Sequence, residues 1–275
     1  MNFSEKNRLT LPNFLIVGAA KAGTTSLYHY LNSHDKIFFP KLKEPKFFSS
    51  AFIKFPQNGI GDNSIDNYRI NNWSSYTDLF KSTHNKMIGE ASPEYLYYHK
   101  NVAPLIRKKL GNIPIIIVLR NPVLRAFSAY SYLLRDNREK YSFKIGLAKE
   151  SERIKDNWDY IWHYYKAGLY YNQVKTYIEN FSRVKIILFE DLIDNPLLSV
   201  NGVLDFLNLK KFEKISKTKY NSSGVPKNDI IKFILRRDNK LSLFIRKLLN
   251  KTINRKYLEY FSQINLSKLN INENE

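Results

Sequence analysis

The stretch Phe14 to Ser26, FLIVGAAKAGTTS, decides the fold. Four apolar residues run into glycine, and from Ser26 to Leu31 the apolar residues continue at helical spacing, so the segment reads as strand, loop and helix. A phosphate-binding loop is written GxxxxGK[ST]. Here Gly18, Gly23 and Thr25 keep their places, Thr24 stands where the lysine belongs, and Lys21 lies inside the loop. The anion cradle survives the shift. Gly23 lets the backbone approach closely, and the N–H groups of Gly23 to Ser26 open a helix, where donors lack intrahelical partners and the dipole favours negative charge. Simple helix capping by the Thr-Thr-Ser run is the plainer reading, and it is compatible with anion binding.

Working outward, three more apolar runs read as buried strands: Met87-Ile88, Ile113 to Leu119 and Val184 to Phe189. Each ends in a residue with chemistry: Glu90 after KMIG, Arg120 after IIIVL, and Glu190-Asp191 after KIILF. The carboxyl ends of parallel strands share one edge, which is where open α/β sheets bind ligands. Between Ser50 and Lys86 the chain is polar, Asn-rich and irregular, which suggests a long excursion over the sheet edge rather than a separate domain.

With 275 residues the chain is long enough for one α/β domain with a real core. The reading is a single domain over 1–275, with a core at about 12–235, a basic C-terminal helix at about 236–260 and a frayed tail at 265–275. Hydrophobic residues at 43% and aromatics at 15% exclude a disordered or fibrous chain. The absence of cysteine excludes disulfides, Cys-ligated zinc and thiol catalysis. No window approaches the roughly 18 apolar residues of a membrane span, and the N-terminus has no sustained apolar stretch, so a cytoplasmic location, with peripheral membrane contact as the alternative, is expected. A net charge of +19 should attract anions, although composition alone explains part of it.

Here the residues carry a resemblance. PNFLIVGAAKAGTTSLYHYL followed by KEPKFF resembles the 5'-phosphosulfate loop of sulfotransferases that use 3'-phosphoadenosine 5'-phosphosulfate (PAPS). VLRNPVLRAFSAY, with Arg120 and Ser128 eight residues apart, is similar to the 3'-phosphate signature of that family. IGEASPEYLYY between them resembles the segment bearing the catalytic glutamate in the heparan sulfate and carbohydrate branch. The resemblance spans roughly residues 12–228 and implies a P-loop-NTPase-like three-layer α/β fold, a central parallel sheet flanked by helices. It also implies PAPS as donor, the product 3'-phosphoadenosine 5'-phosphate (PAP), no metal, and a carbohydrate or glycolipid acceptor. It gives the shifted lysine a meaning, because Lys21 then supplies the positive charge that a metal supplies in kinases.

Carried onto this chain, the resemblance makes Lys21, Glu90 and Lys46 catalytic, with Glu90 the general base. Lys21, Ala22, Gly23, Thr24, Thr25 and Ser26 would hold the 5'-phosphate, and Arg120 with Ser128 the 3'-phosphate. Tyr170, or its neighbour Tyr171, would stack on adenine, and Ser223 and Lys227 would reach the nucleotide from a late loop. Each has a bland counterpart: a solvated lysine, a structural ion pair for Arg120, a satisfied carboxylate for Glu90, core packing for Tyr170. Arg125 is read as an aid to Arg120 or a surface residue. The basic amphipathic stretch RRDNKLSLFIRKLLNKTINRK either docks on an anionic membrane or glycan, or packs its apolar face on the domain. Two other functions compete: a degenerate P-loop kinase or NTPase, and a polyanion-binding module. No recognisable nucleic-acid motif is present, so a nucleic-acid partner is not expected.

Overall fold

The structure, a computed structural model, describes residues 10–66, 69–81 and 86–215, with two short strands at Val225–Pro226 and Leu266–Ser267. The chain gathers into two compact units, each built from separated stretches. Met1–Ile53, Tyr68–Arg120 and Tyr170–Thr218 make one, and Lys54–Asn67, Asn121–Leu169 and Lys219–Glu275 make the other.

The first unit holds five parallel strands: β1 (Phe14–Gly18), β2 (Ile37–Phe38), β3 (Met87–Ala91), β4 (Ile115–Leu119) and β5 (Val184–Leu188). Their order is β2-β3-β1-β4-β5. Phe14 to Val17 and Ile115 to Val118 have no exposed surface, as continuous apolar strands require when a sheet is covered on both faces. Helix His99–Leu110 packs with Tyr170–Asn180, and helix Thr24–Asn32 with Pro196–Phe206. The parallel sheet flanked by helices is the fold expected from the opening stretch.

Three details depart from the sequence reading. Strand β2, two residues long, is too short to show a periodicity. The run at Ile113 pairs only from Ile115, beyond Pro114, which has no N–H to give a ladder. Glu90 lies within β3 rather than after it, and faces Leu15 of β1 across the parallel ladder.

From β1 the chain first builds one side of the sheet, β2 and β3, and later the other, β4 and β5. The reversal falls at β1, so the crevice outside its carboxyl end is the natural ligand site of this topology. Gly18 ends that strand where a Cβ would come within 2.3 Å of Leu96.

In the second unit, Asn121 caps helix Pro122–Arg135, accepting from the amides of Val123 and Leu124 at 3.0 and 3.2 Å, with Pro122 in the first turn as expected. Below it lies a buried polar core. Asp62 accepts from Arg138, from Trp162 Nε1 at 3.1 Å and from the Asp159 amide at 2.9 Å. Glu139 accepts from Arg153 and from the Tyr164 hydroxyl, at 2.9 and 2.7 Å. Arg125, expected on a surface or beside Arg120, is instead 1% exposed, and its guanidinium donates to the Tyr164 carbonyl. The excursion expected over the sheet edge is divided: Lys54–Asn67 joins the second unit, and the chain from Tyr68 returns to the first.

Candidate active site

The loop after β1 is built for an anion. Lys21 and Gly23 take left-handed conformations, φ 68° and 89°. At Gly23 a Cβ would also come within 2.7 Å of the Phe189 ring, so both conformation and space demand glycine. Gly23 caps helix Thr24–Asn32 without a side-chain bond, and no acidic residue stands in its first turn. Nothing in that turn therefore offsets the positive helix end. Ala22, Thr24 and Ser26 are buried, and the Ala22 amide turns back to the Ala19 carbonyl at 3.2 Å.

The segment KEPKFF closes on this loop. Lys43 donates to Thr25 Oγ1 and to Glu44, each at 2.8 Å. Glu44 and Lys46 are both left-handed, φ 61° and 58°. Burial works to raise the Glu44 carboxyl, yet Lys43, Lys46 and Lys21 together hold it below the ordinary carboxylate range. One partly exposed carboxylate thus sits in the field of three lysines, one of them from the phosphate loop.

Glu90 is sealed. With no exposed surface, it accepts from Ser92 Oγ at 2.6 Å, from the Tyr76 hydroxyl at 2.8 Å and from the Tyr95 hydroxyl at 3.3 Å. Burial pushes its carboxyl up to about 7 against the pull of those three hydroxyls, and nearby Glu94 adds to the rise. The same burial raises Tyr76 and Tyr95, so both phenols remain protonated donors. Ser92 Oγ, which donates to Glu90, accepts from the backbone amide of Lys46 at 3.1 Å, joining β3 to KEPKFF.

Arg120 leaves the end of β4. Its Nη1 donates to the Lys21 carbonyl at 3.2 Å, and its guanidinium lies 4.5 Å from the centre of the Phe189 ring. Burial pulls its pKa down while Glu190 and Tyr170 hold it up. Phe189 thereby supports both the phosphate loop, at Gly23, and Arg120. Tyr170 opens helix Tyr170–Asn180 and is half-buried near Arg120, whereas Tyr171 is 76% exposed, which separates the two adenine candidates. Ser128 lies buried on helix Pro122–Arg135 of the second unit. Ser223, Lys227 and the basic stretch at 236–260 lie outside the described residues.

Sequence reasoning gave no role to Tyr76, Arg69 or Phe189. Tyr76 comes from helix Trp73–Asp78 inside the irregular stretch, and nothing in WSSYTD singles it out. Ser92 and Tyr95 stood in the quoted segment EASPEY, two and five residues from Glu90.

A parallel α/β sheet with an uncapped glycine loop after its first strand, Lys43 bonded to Thr25 and Arg120 to the Lys21 carbonyl, defines a protein of the phosphate-loop α/β class. The particular family follows from comparison: the model of the sulfotransferase family matches residues 12–214, and the chain belongs to that family. It is similar to the sulfotransferase of Alicyclobacillus acidocaldarius, 41% identical with a TM-score of 0.73, over 77% of this chain and 87% of that one. It is 34% identical over 54% of its length to the membrane-associated sulfotransferase kil1 of Dictyostelium discoideum, covering 30% of that protein. To human heparan sulfate glucosamine 3-O-sulfotransferase 3B1 it is 27% identical over 76% of its length, covering 49% of the relative. The chain thus spans about a third to a half of these two curated relatives.

The cytoplasmic expectation is corrected by this comparison, because the Dictyostelium relative is by name membrane-associated. The expectation rested on the lack of an apolar span. No described helix is long and apolar enough to cross a membrane, but such a span is only one of several ways a protein reaches one.

Proposed function

We propose that this chain transfers a sulfuryl group from PAPS to a hydroxyl or amine of a carbohydrate or glycolipid acceptor. The observation that carries the reading is the convergence of Lys21, Lys43 and Lys46 on Glu44, with Lys43 bonded to Thr25 of an uncapped anion loop. The curated relatives named for heparan sulfate and carbohydrate sulfation support the acceptor class.

On this reading the amides and hydroxyls of Gly23 to Ser26 hold the 5'-phosphate, and Lys21 offsets charge on its bridging oxygen. Arg120, fixed on Phe189, takes the 3'-phosphate, and Tyr170 flanks the base. Ser128, Ser223 and Lys227 keep the nucleotide roles read from the sequence. When bound, PAPS supplies a sulfur whose bond to phosphate oxygen breaks as the acceptor oxygen or nitrogen bonds to it, the acceptor proton leaving to a base.

Two carboxylates compete for that proton. Glu90, read as the base from the sequence, has the right pKa, about 7, but no exposed surface, and three hydroxyls already occupy it. Glu44 is 30% exposed and stands among the lysines that would meet the donor. Its proton affinity is held down by those lysines, and rises when an anion engages them. Reach in the donor-free protein favours Glu44, and proton affinity favours Glu90, which in that case would have to leave the hydroxyls of Ser92, Tyr76 and Tyr95.

Titration calorimetry with PAP, and separately with Mg²⁺-ATP with and without chelator, tests the donor. Metal-independent PAP binding, followed by transfer from PAPS to an oligosaccharide panel, is the expected result. A preference for Mg²⁺-ATP would overturn the reading and restore the kinase alternative.

A further inference from the structure

Glu94 is a second buried carboxylate beside this site, and neither family resemblance nor donor chemistry assigns it a role. It sits in the single turn Pro93–Tyr95 that follows β3, with no exposed surface. Arg69 grips it with a fork, Nη1 to Oε1 at 2.5 Å and Nη2 to Oε2 at 3.1 Å, and the Ser49 hydroxyl donates to Oε1. Lys46 Nζ stands 3.2 Å from Oε2.

The charges do not balance. A buried carboxylate is costly unless a cation accompanies it, and Arg69, only 3% exposed at its side chain, already meets that need with two bonds. Lys46 is therefore a second cation on a carboxylate that has one. Its backbone is held separately, in a left-handed conformation with its amide on Ser92 Oγ. Its ammonium also acts on Glu44, in the field shared with Lys21. A cation anchored by its main chain, on a carboxylate that already has a counter-ion, and sharing the field at Glu44 with Lys21 of the anion loop, is placed to change partners.

We propose that Glu94 is a positioning residue for Lys46: it holds the ammonium in the donor-free protein and yields it to the sulfuryl oxygens when the donor enters, while Arg69 stays behind as the permanent counter-ion. This rests on the sulfotransferase reading. The exchange keeps Lys46 aimed at the donor before binding and leaves Glu94 neutralised after it. A short polar residue at position 94 would leave the ammonium free to pair with Glu44 instead, and so would compete with the acceptor's base.

The test is a double-mutant cycle on sulfate transfer from PAPS, with Glu94→Gln, Lys46→Met and the pair, each checked by thermal melting and by PAP affinity. Glu94→Gln should lower kcat about 10-fold with KM for PAPS changed less than about 2-fold, and should have almost no further effect once Lys46 is Met. Equal losses in both backgrounds would overturn the proposal, since Glu94 would then act through the fold alone. If Glu94→Gln does not fold, Arg69→Met with Glu94→Gln removes the carboxylate together with its permanent partner, and the same cycle with Lys46→Met is read from that variant. A wild-type protein that neither binds PAP nor transfers sulfate would sink the sulfotransferase reading itself, a failure recognisable before any variant is made.

Discussion

Lys43 donates a 2.8 Å hydrogen bond to Oγ1 of Thr25, and through it the KEPKFF segment is tied to the anion loop 18 residues earlier. The bond makes the loop's hydroxyl and the Glu44 carboxylate share one ammonium. Replacing Lys43 by Met should therefore weaken PAP binding about 10-fold and raise the Glu44 pKa, because the lysine bonded directly to that carboxylate is gone. Calorimetry on Lys43→Met measures the first effect; unchanged PAP affinity would show that the loop holds phosphate without it.

The two carboxylates separate by their mutants. Glu44→Gln should cut kcat by about 10²-fold or more while retaining PAP binding, the loss typical of a missing general base. Glu90→Gln should leave more turnover than Glu44→Gln. Turnover lost only in Glu90→Gln would return the base to Glu90 and require Ser92 to move aside.

Glu90 also sets a pH dependence of stability. Its folded pKa, about 7, lies above the 4.5 of an ordinary glutamate, so the folded state holds a proton that the unfolded state releases first. Its contribution is fully present below about pH 4.5 and is lost as pH rises through 7, a swing of about 3 kcal/mol. Melting temperatures of wild type and Glu90→Gln from pH 5 to 8 should diverge accordingly, with the variant gaining on wild type toward pH 8. A pH-independent difference would mean that Glu90 titrates like an ordinary carboxylate.

Arg120 should not tolerate lysine. The guanidinium bonds the Lys21 carbonyl while its carbon lies 4.5 Å from the centre of the Phe189 ring, and a compact ammonium does not reproduce both contacts from one place. Arg120→Lys and Phe189→Ala are each expected to weaken PAP at least about 10-fold. Wild-type affinity in Arg120→Lys would remove Arg120 from the nucleotide's 3' end.

Gly23→Ala should fail twice, by a left-handed φ of 89° and by collision with Phe189. The expected cost is about 1–3 kcal/mol with loss of PAP binding. Melting and calorimetry on this variant check both, and an unperturbed protein would show that Phe189 moves freely.

What the sequence determined by itself is whatever local chemistry dictates. FLIVG followed by AAKAGTTS can hardly be other than strand, loop and helix, because apolar runs, left-handed glycine and helix spacing are properties of neighbouring residues. The parallel sheet followed from IIIVL and VKIIL for the same reason. Arg120 at the end of IIIVL and Lys21 in the loop were legible as cations at strand ends. Tertiary structure alone decided what these groups meet. Glu90 looked like a reactive carboxylate from its place near a strand end; one more residue of pairing with β1 sealed it under Tyr76, which arrives from a helix 14 residues earlier with no local sign of its purpose. Glu44 and Glu94 carry no local sign of a role, and the fold makes them respectively a carboxylate held among three lysines and a buried counter-ion to Arg69 and Lys46. Burial and charge pairing sum over groups distant along the chain, so no window of sequence carries them.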